Sequence, residues 1–402
     1  MNDSRGRDRS RNHVDWSLLV AVYALSVFGI LCISMATYDM DVSEGQPLLN
    51  KILNSRSSMW QSIFVLISPV VIGTVLAISP QVYRTRSRLI YLGVLALLFV
   101  TLVMGEVSNG LRGWLKSNIL GRSIQPCEFA KLSVLLMLAR YLSATEKPMG
   151  TFRDFVRIMA VVAIPSAIVL LQGETGSVIV ILFMFMVMIF FAGVDLRVLL
   201  GIAAVGALGI GFIVAYGLMA ENTDYRILRL LAFLDPQKYS SSGGYQIIMS
   251  QTAIGAGRQK GIGTFVPGSW TTLGFVPESS TDSVFSVVGE CFGFVGCCAV
   301  LCVYLFIVLR MLYLARYTQD KFGRLVIIGV MAMLFFHVFQ NVAMSIGFMP
   351  ITGIPLPFLS YGGSNYITNI AGVALVLNMT RNRSSNVVRL VPLPKINTAK
   401  KA

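Results

Sequence analysis

Two carboxylates four residues apart, Glu278 and Asp282, lie in the polar stretch Val276-Pro277-Glu278-Ser279-Ser280-Thr281-Asp282. Directly after it comes an apolar, helix-length run that carries a third, Glu290. A carboxylate can accept the proton of an attacking hydroxyl, tune a neighbour's pKa or hold a hard cation. Such groups are costly to place at the mouth of an apolar span, so they mark an active site or an ion path. The plainer alternative is helix capping, since an acidic or hydroxyl residue just before Val284 is favourable without any chemistry. Capping accounts for one such residue, not for Glu278 and Asp282 together.

Further charges accompany them. Glu128 and Lys131 are three apart on one apolar run, so they share a helix face and can pair. Glu290 and His337 fall inside later runs, where hydrogen bonding between helices is the structural reading. A long polar segment, 220–283, holds Arg226, Arg229, Lys238, Arg258 and Lys260. Either it attracts an anionic ligand, or it is simply too long to obey the charge rule that governs short loops. Within it, Gly244–Ile254 has the mixed periodicity of a short interfacial helix. Gly255, Gly257, Gly261 and Gly263 follow around Arg258 and Lys260, a turn whose N–H groups could cradle phosphate; it has neither Rossmann nor P-loop spacing.

The elements that must position these residues are membrane helices. Of 402 residues, 55% are hydrophobic and 13% charged, and the mean hydropathy is +0.71; a soluble globule carries about 25% charge. Apolar runs long enough for a bilayer core of about 30 Å fall near 16–37, 59–79, 88–105, 126–143, 155–172, 176–193, 198–219, 284–314, 324–349 and 363–380. The expected fold is therefore an all-α polytopic membrane protein of about ten transmembrane helices, with a long extracytoplasmic loop between the seventh and eighth. It divides into a cytoplasmic basic tail 1–15, a membrane domain 16–380 with the large loop at 220–283, and a second cytoplasmic basic tail 381–402. The first run is read as a retained span, because it is longer than the apolar core of a signal peptide. Lys and Arg concentrate in alternate loops and in both tails, which places both termini inside. The net charge of +14 then reflects topology beside anionic lipid, and nucleic acid is not an expected partner. The six cysteines, all in or at the edge of apolar runs, read as packing residues rather than disulfides or metal ligands.

Several ordered motifs support a resemblance covering nearly the whole chain. These are Gly113-Trp114 with Gln125-Pro126-Cys127-Glu128-Phe129-Ala130-Lys131-Leu132, Phe233-Leu234-Asp235-Pro236, Gly244-Tyr245-Gln246, Pro277-Glu278-Ser279-Ser280-Thr281-Asp282, and Gly353-Ile354-Pro355-Leu356-Pro357-Phe358-Leu359-Ser360-Tyr361-Gly362-Gly363-Ser364. Together they resemble the SEDS family of RodA, FtsW and SpoVE. Pro350-Ile351-Thr352-Gly353-Ile354-Pro355 and Val14-Asp15-Trp16 are most similar to the RodA branch. The chain departs from the family pattern at Cys127, Ser280 and Ser283, and at Gly173-Glu174 where Pro-Asp is common.

The resemblance implies a peptidoglycan glycosyltransferase of the bacterial inner membrane that polymerises lipid II on its outer face during cell wall elongation and shape maintenance. Its implied partners are lipid II, the nascent glycan strand, membrane lipid, a class B penicillin-binding protein and other elongation-complex membrane proteins. Asp282 becomes the general base with Glu278 beside it, helix start and neighbour pulling its pKa in opposite directions. Arg112, Trp114, Glu128, Lys131, Arg226, Arg229, Arg258 and Lys260 become the substrate-binding set, with Lys131 either a phosphate ligand or the group that orients Asp282. A divalent ion, Mg²⁺ or Mn²⁺, is a possible cofactor without a dedicated cage. The competing functions are a lipid II flippase, a non-catalytic scaffold, or the division or sporulation enzyme of the same family.

Overall fold

Each of the ten apolar runs meets a helix in the computed structural model, which describes residues 14–38, 47, 50–51, 55–108, 111–117, 122–146, 148–219, 225–239 and 243–381. In chain order these are α1 (Trp16–Ala36), α2 (Arg56–Ala77), α3 (Pro80–Met104), α4 (Pro126–Ala144), α5 (Phe152–Leu171), α6 (Thr175–Phe191) and α7 (Leu196–Met219). After α8 (Tyr225–Leu234) and α9 (Tyr245–Ala256) come α10 (Val284–Tyr317), α11 (Lys321–Ser345) and α12 (Gly363–Thr380). The starts follow local chemistry. Asp15, Ser55, Thr151 and Asp320 cap α1, α2, α5 and α11 through their side chains. Pro80 and Pro126 occupy first-turn positions, where a missing N–H costs nothing.

Among the described residues six helices, α1, α2, α3, α5, α10 and α11, are long and apolar enough to cross a membrane. Of the other four, three depart from that standard for visible reasons. α4 carries Glu128, Lys131 and Arg140, α6 has 17 residues, and α12 carries Asn365, Asn369 and Asn378, whereas α7 is apolar along its 24 residues. α4, α6 and α12 are largely enclosed by neighbouring helices, so they can carry polarity that a lipid-facing helix cannot, whereas the described residues of α7 are mostly exposed.

α11 is the central element: it is buried along most of its length and packs against α4, α6, α10 and α12. α2 and α3 lie at the periphery, with Leu66 77% and Leu89 63% exposed. Apolar faces of that width are stable only against hydrocarbon or another apolar partner. On the polar side of the bundle the chain makes a small antiparallel sheet absent from the expected all-α picture, β1 (Glu106–Ser108), β2 (Leu111–Ser117) and β3 (Arg122–Ile124) in that order. In its register Glu106 faces Trp114, and Lys116 faces Ser123.

Two irregular segments run through the interior. Residues 350–362 pack on α1 at Gly29, where a side-chain carbon would lie 2.6 Å from the Phe358 carbonyl oxygen. Non-helical backbone at this depth is tolerable because protein surrounds it; Ser360, for example, accepts the Leu356 N–H at 2.8 Å. The other irregularity is a break in α10 at Gly293, whose φ of 65° and ψ of −163° no L side chain adopts readily. All six cysteines are free thiols.

Candidate active site

Asp282 lies at the convergence of five separated segments. It is partly buried, immediately before Ser283, the residue at the N-cap position of α10. Its side chain is therefore not the cap, and the capping explanation does not account for it. Glu278 is exposed and has a left-handed φ of 50°, an uncommon conformation for a residue with a side chain. Its carbonyl accepts the N–H groups of Thr281 and Ser283 at 3.1 and 3.0 Å, and its carboxylate accepts the Thr281 hydroxyl at 2.9 Å. These bonds wind Pro277–Ser283 into a tight turn that presents both carboxylates together.

The turn is held from below by the other interior segments. Asn341, on α11, donates to the carbonyls of Asp282 and Ile354, both at 2.8 Å. Ser360 donates to the Thr281 carbonyl, and Tyr361 N–H to the Ser280 carbonyl at 2.9 Å. From α9, the Gln246 amide donates to Ser283 at 3.0 Å. Gly353 forms the floor: its φ is +70°, and a side-chain carbon there would sit 3.5 Å from Asp282 Oδ2 and 3.9 Å from Arg229 Nη1. The acid and the guanidinium therefore face one small space above a glycine.

Charge completes the site. The Asp282 pKa is pushed up to about 7, first by burial and then by Glu278 and Glu174, against the opposing pull of Arg229. The helix start does not prevail, because desolvation and two carboxylates outweigh it. Glu174, between α5 and α6, is also shifted upward, mainly by burial, and accepts the Gln125 amide at 2.7 Å. It sits under β2, where a side-chain carbon on Gly113 would lie 2.7 Å from Glu174 Oε1. Gln125 N–H in turn donates to Ser364 at the start of α12, at 3.1 Å.

Below this layer, Glu128 and Lys131 pair at 2.7 Å, both almost wholly buried. Lys131 also reaches His337 Nε2 at 2.9 Å. His337 Nδ1 is 2.7 Å from the Met333 carbonyl, so Nδ1 carries the proton and Nε2 accepts from the ammonium. Asn365 donates to the other Glu128 oxygen at 3.0 Å and is linked to Asn369. The Lys131 ammonium is thus engaged by two buried protein partners, Glu128 and His337.

The remaining sequence candidates divide. Arg229 joins Asp282, and Trp114 is partly buried on β2, beside Gly113. Arg112 in β2 and Arg226 in α8 are placed by backbone alone, and their side chains lie outside the described residues. Arg258 and Lys260 are exposed on a turn beside the α10 break, away from Asp282. Glu290 has a structural task, its two oxygens accepting the N–H groups of Trp270 and Thr271 at 2.6 and 3.0 Å. Gly353, Asn341, Gln125 and Ser360 were not legible as site residues, because neutral amides, hydroxyls and glycine carry no charge anomaly. The quoted Gly353–Ser364 and Gln125–Leu132 runs were the signals that covered three of them.

The fold and site define a multi-pass helical membrane protein with an acid–guanidinium recess roofed by a small sheet. Residues 15–385 match the model of the FtsW/RodA/SpoVE family, described as cell cycle protein, and the chain belongs to that family. Among its relatives, the peptidoglycan glycosyltransferase MrdB of Escherichia coli K12 is 32% identical, the match covering 92% of this chain and 94% of that one. The peptidoglycan glycosyltransferase RodA of Treponema pallidum is 29% identical over 93% and 99%. Of solved structures, a chain described under polymerisation and crosslinking by a peptidoglycan synthase complex superposes with a TM-score of 0.74 at 28% identity, covering 93% of this chain and 99% of that one. The rod shape determining protein RodA of Thermus thermophilus gives 0.65 at 27%, over 93% and 98%.

Proposed function

We propose that the chain is a peptidoglycan glycosyltransferase that polymerises lipid II, with Asp282 as general base. The observation that carries this reading is a carboxylate poised near neutral pH beside a guanidinium, at the head of a helix in a protein whose curated relatives are peptidoglycan glycosyltransferases. In the reaction the 4-hydroxyl oxygen of the acceptor GlcNAc attacks the anomeric carbon of a MurNAc carried on a lipid diphosphate. The hydroxyl proton passes to the Asp282 carboxylate. The bond from anomeric carbon to diphosphate breaks with inversion, and the diphosphate leaves on its lipid with the electron pair. A base near pKa 7 is ionised enough at neutral pH to act and basic enough to be useful.

Arg229 faces the same space and meets the negative charge that grows on the leaving group. Arg112 and Arg226, on segments that border the site, are proposed to add to that field, and Trp114 to pack against a sugar face. The buried Glu128–Lys131–His337 network fixes α4 against α11 and so supports the site from beneath. Among the described residues no group of three or more His, Cys, Asp or Glu side chains is arranged to hold a metal. The hard oxygens of Asp282 and Glu278 fit Mg²⁺ or Mn²⁺ only with substrate phosphate oxygens completing the shell; bound there, the ion would offset charge on the diphosphate.

The proposed topology places both termini in the cytoplasm, ten spans in the inner membrane and Asp282 on the outer face. A class B penicillin-binding protein and other elongation-complex membrane proteins are the proposed partners. Purified protein supplied with labelled lipid II tests the reaction: glycan polymer from the wild type and none from Asp282→Ala is the expected result. Equal polymer from both removes Asp282 from the mechanism. Lipid scrambling with no polymer favours a flippase instead.

A further inference from the structure

Two polar features of the molecule have no task in the proposed reaction. One is the glycine turn after α9. Its Arg258, Gly261, Ile262 and Gly263 N–H groups donate to the carbonyls of Gly255, Gly257, Glu290 and Cys291, at 3.2, 2.7, 2.9 and 3.1 Å. From α10, the Phe294 and Val295 N–H groups donate to the Arg258 and Gln259 carbonyls at 2.9 and 3.1 Å. The turn is bonded into the break of α10, so it is not a backbone cradle for phosphate. The other feature is Glu174, whose carboxylate is only half engaged.

The backbone fixes where that carboxylate stands. Gly173 turns the chain out of α5 with a φ of 97°, and Glu174 N–H closes the helix end by donating to the Val169 carbonyl at 3.2 Å. Glu174 then occupies the N-cap position of α6, where an acidic side chain ordinarily accepts a helical N–H, and it makes no such bond. Its Oε1 accepts the Gln125 amide at 2.7 Å, and among the described residues no donor reaches Oε2. Room is kept for the carboxylate on the sheet side, since a side-chain carbon on Gly113 would lie 2.7 Å from Oε1 and 3.1 Å from Cγ. α6 also presses on the floor of the recess: a side-chain carbon on Gly176 would fall 2.7 Å from both the Thr352 carbonyl oxygen and Ile354 Cγ1, on the two neighbours of Gly353. Glu174 therefore borders the space that Asp282 and Arg229 face, and its charge is felt by both.

We infer that Glu174 is a ligand of the acceptor sugar: its open oxygen accepts a hydroxyl hydrogen of the acceptor GlcNAc and so holds the neighbouring 4-hydroxyl toward Asp282. This rests on the proposed polymerase reading and adds an acceptor subsite to it. A second carboxylate at the recess repels the donor's diphosphate, which belongs with Arg229. The reacting end of the acceptor, by contrast, is a neutral GlcNAc, with its own diphosphate at the far end of the disaccharide. Its hydroxyls are donors, and an ionised carboxylate is an acceptor only, which makes their hydrogen bond a strong one. Fixing one hydroxyl beside the reacting one also limits rotation of the sugar, so that the 4-hydroxyl spends more of its time in line with the base.

The test supplies the full-length protein with two lipid II derivatives. One is capped at its 4-hydroxyl and can only give its disaccharide. In the other a methylene replaces the oxygen between the anomeric carbon and phosphorus, so it can only accept. Their single coupling product yields separate KM values for donor and acceptor. Glu174→Gln keeps the size of the side chain and an oxygen for Gln125 while removing the charge. It is expected to raise the acceptor KM about tenfold, the scale of one lost charge-assisted hydrogen bond, with the donor KM within about twofold. Gly113→Ala, which pushes the carboxylate aside without altering its charge, is expected to move the acceptor KM in the same direction. An unchanged acceptor KM in Glu174→Gln overturns the subsite, and so do equal rises in both constants, which would make Glu174 a structural tie to Gln125. A rise in the donor KM alone assigns the carboxylate to the other substrate and overturns it too. A wild type that yields no coupled product instead removes the underlying polymerase reading.

Discussion

At the residue scale, the proposed role of Asp282 as general base makes its pKa the expected control on pH dependence. A general base must be deprotonated, so kcat/KM for lipid II polymerisation is expected to rise with pH through about 7. Glu278→Gln removes a like charge that raises this pKa and should move the acid limb to lower pH. Arg229→Gln removes the opposing cation and should move it higher. Limbs that stay in place, or move the other way, would show that another group titrates. Asp282→Asn is expected to cost about 10²-fold to 10⁴-fold in rate without costing stability. Because the folded-state pKa lies above the roughly 3.9 of an unfolded aspartate, folding takes up a proton in that window. The stabilisation is present below it and is lost as pH rises through about 7; the asparagine variant should lack that loss. Deeper in the bundle, Lys131→Met leaves Glu128 and His337 without their partner. A loss of about 3–5 kcal/mol is expected, read as thermal unfolding in detergent. Combining it with Glu128→Gln should cost less than the two single losses together, and a fully additive result would remove the coupling.

At the scale of elements, the broken α10 and the turn that fills it are one unit, since each satisfies backbone groups the other leaves open. Gly293→Ala puts a side-chain carbon 2.3 Å from the Gly261 nitrogen in a conformation nearly closed to L residues. Loss of the monodisperse peak in detergent chromatography is the expected outcome. Glu290 belongs to the same unit: it ties residues 270 and 271 to α10, upstream of the Pro277–Asp282 turn. Glu290→Ala should lower both stability and kcat, while Glu290→Gln, which keeps one acceptor oxygen, should retain more of each. A Glu290→Ala protein with normal thermal stability and normal kcat would detach this residue from the site. Helices were legible because an apolar run of membrane length permits little else. The three-stranded sheet was not, since its strands are short, polar and interrupted by glycine, without two-residue alternation to announce them.

For the whole molecule, the long-range ties decide the shape. Arg310 near the end of α10 grips Asp15 at the head of α1 with two donors, at 2.8 and 3.0 Å, joining elements 295 residues apart. Gly29 admits the interior loop, and α11 serves as the common partner of the inner helices. By itself the sequence determined the membrane class, the helices and the acidic turn at Asp282, because hydropathy and a carboxylate beside an apolar run are local properties of the chain. It also pointed to Glu128 with Lys131, since a helix places residues three apart on one face. Only the tertiary structure decided that Asp282 shares its recess with Arg229, Glu174 and Gly353, that Lys131 is occupied by Glu128 and His337, and that Arg258 and Lys260 stand apart beside Gly293. The physical reason is that residues 125, 174, 229, 282 and 353 are brought together by helix packing, glycine by glycine. The pKa of a base depends on the solvent it loses and the charges it meets, and both are set by that packing.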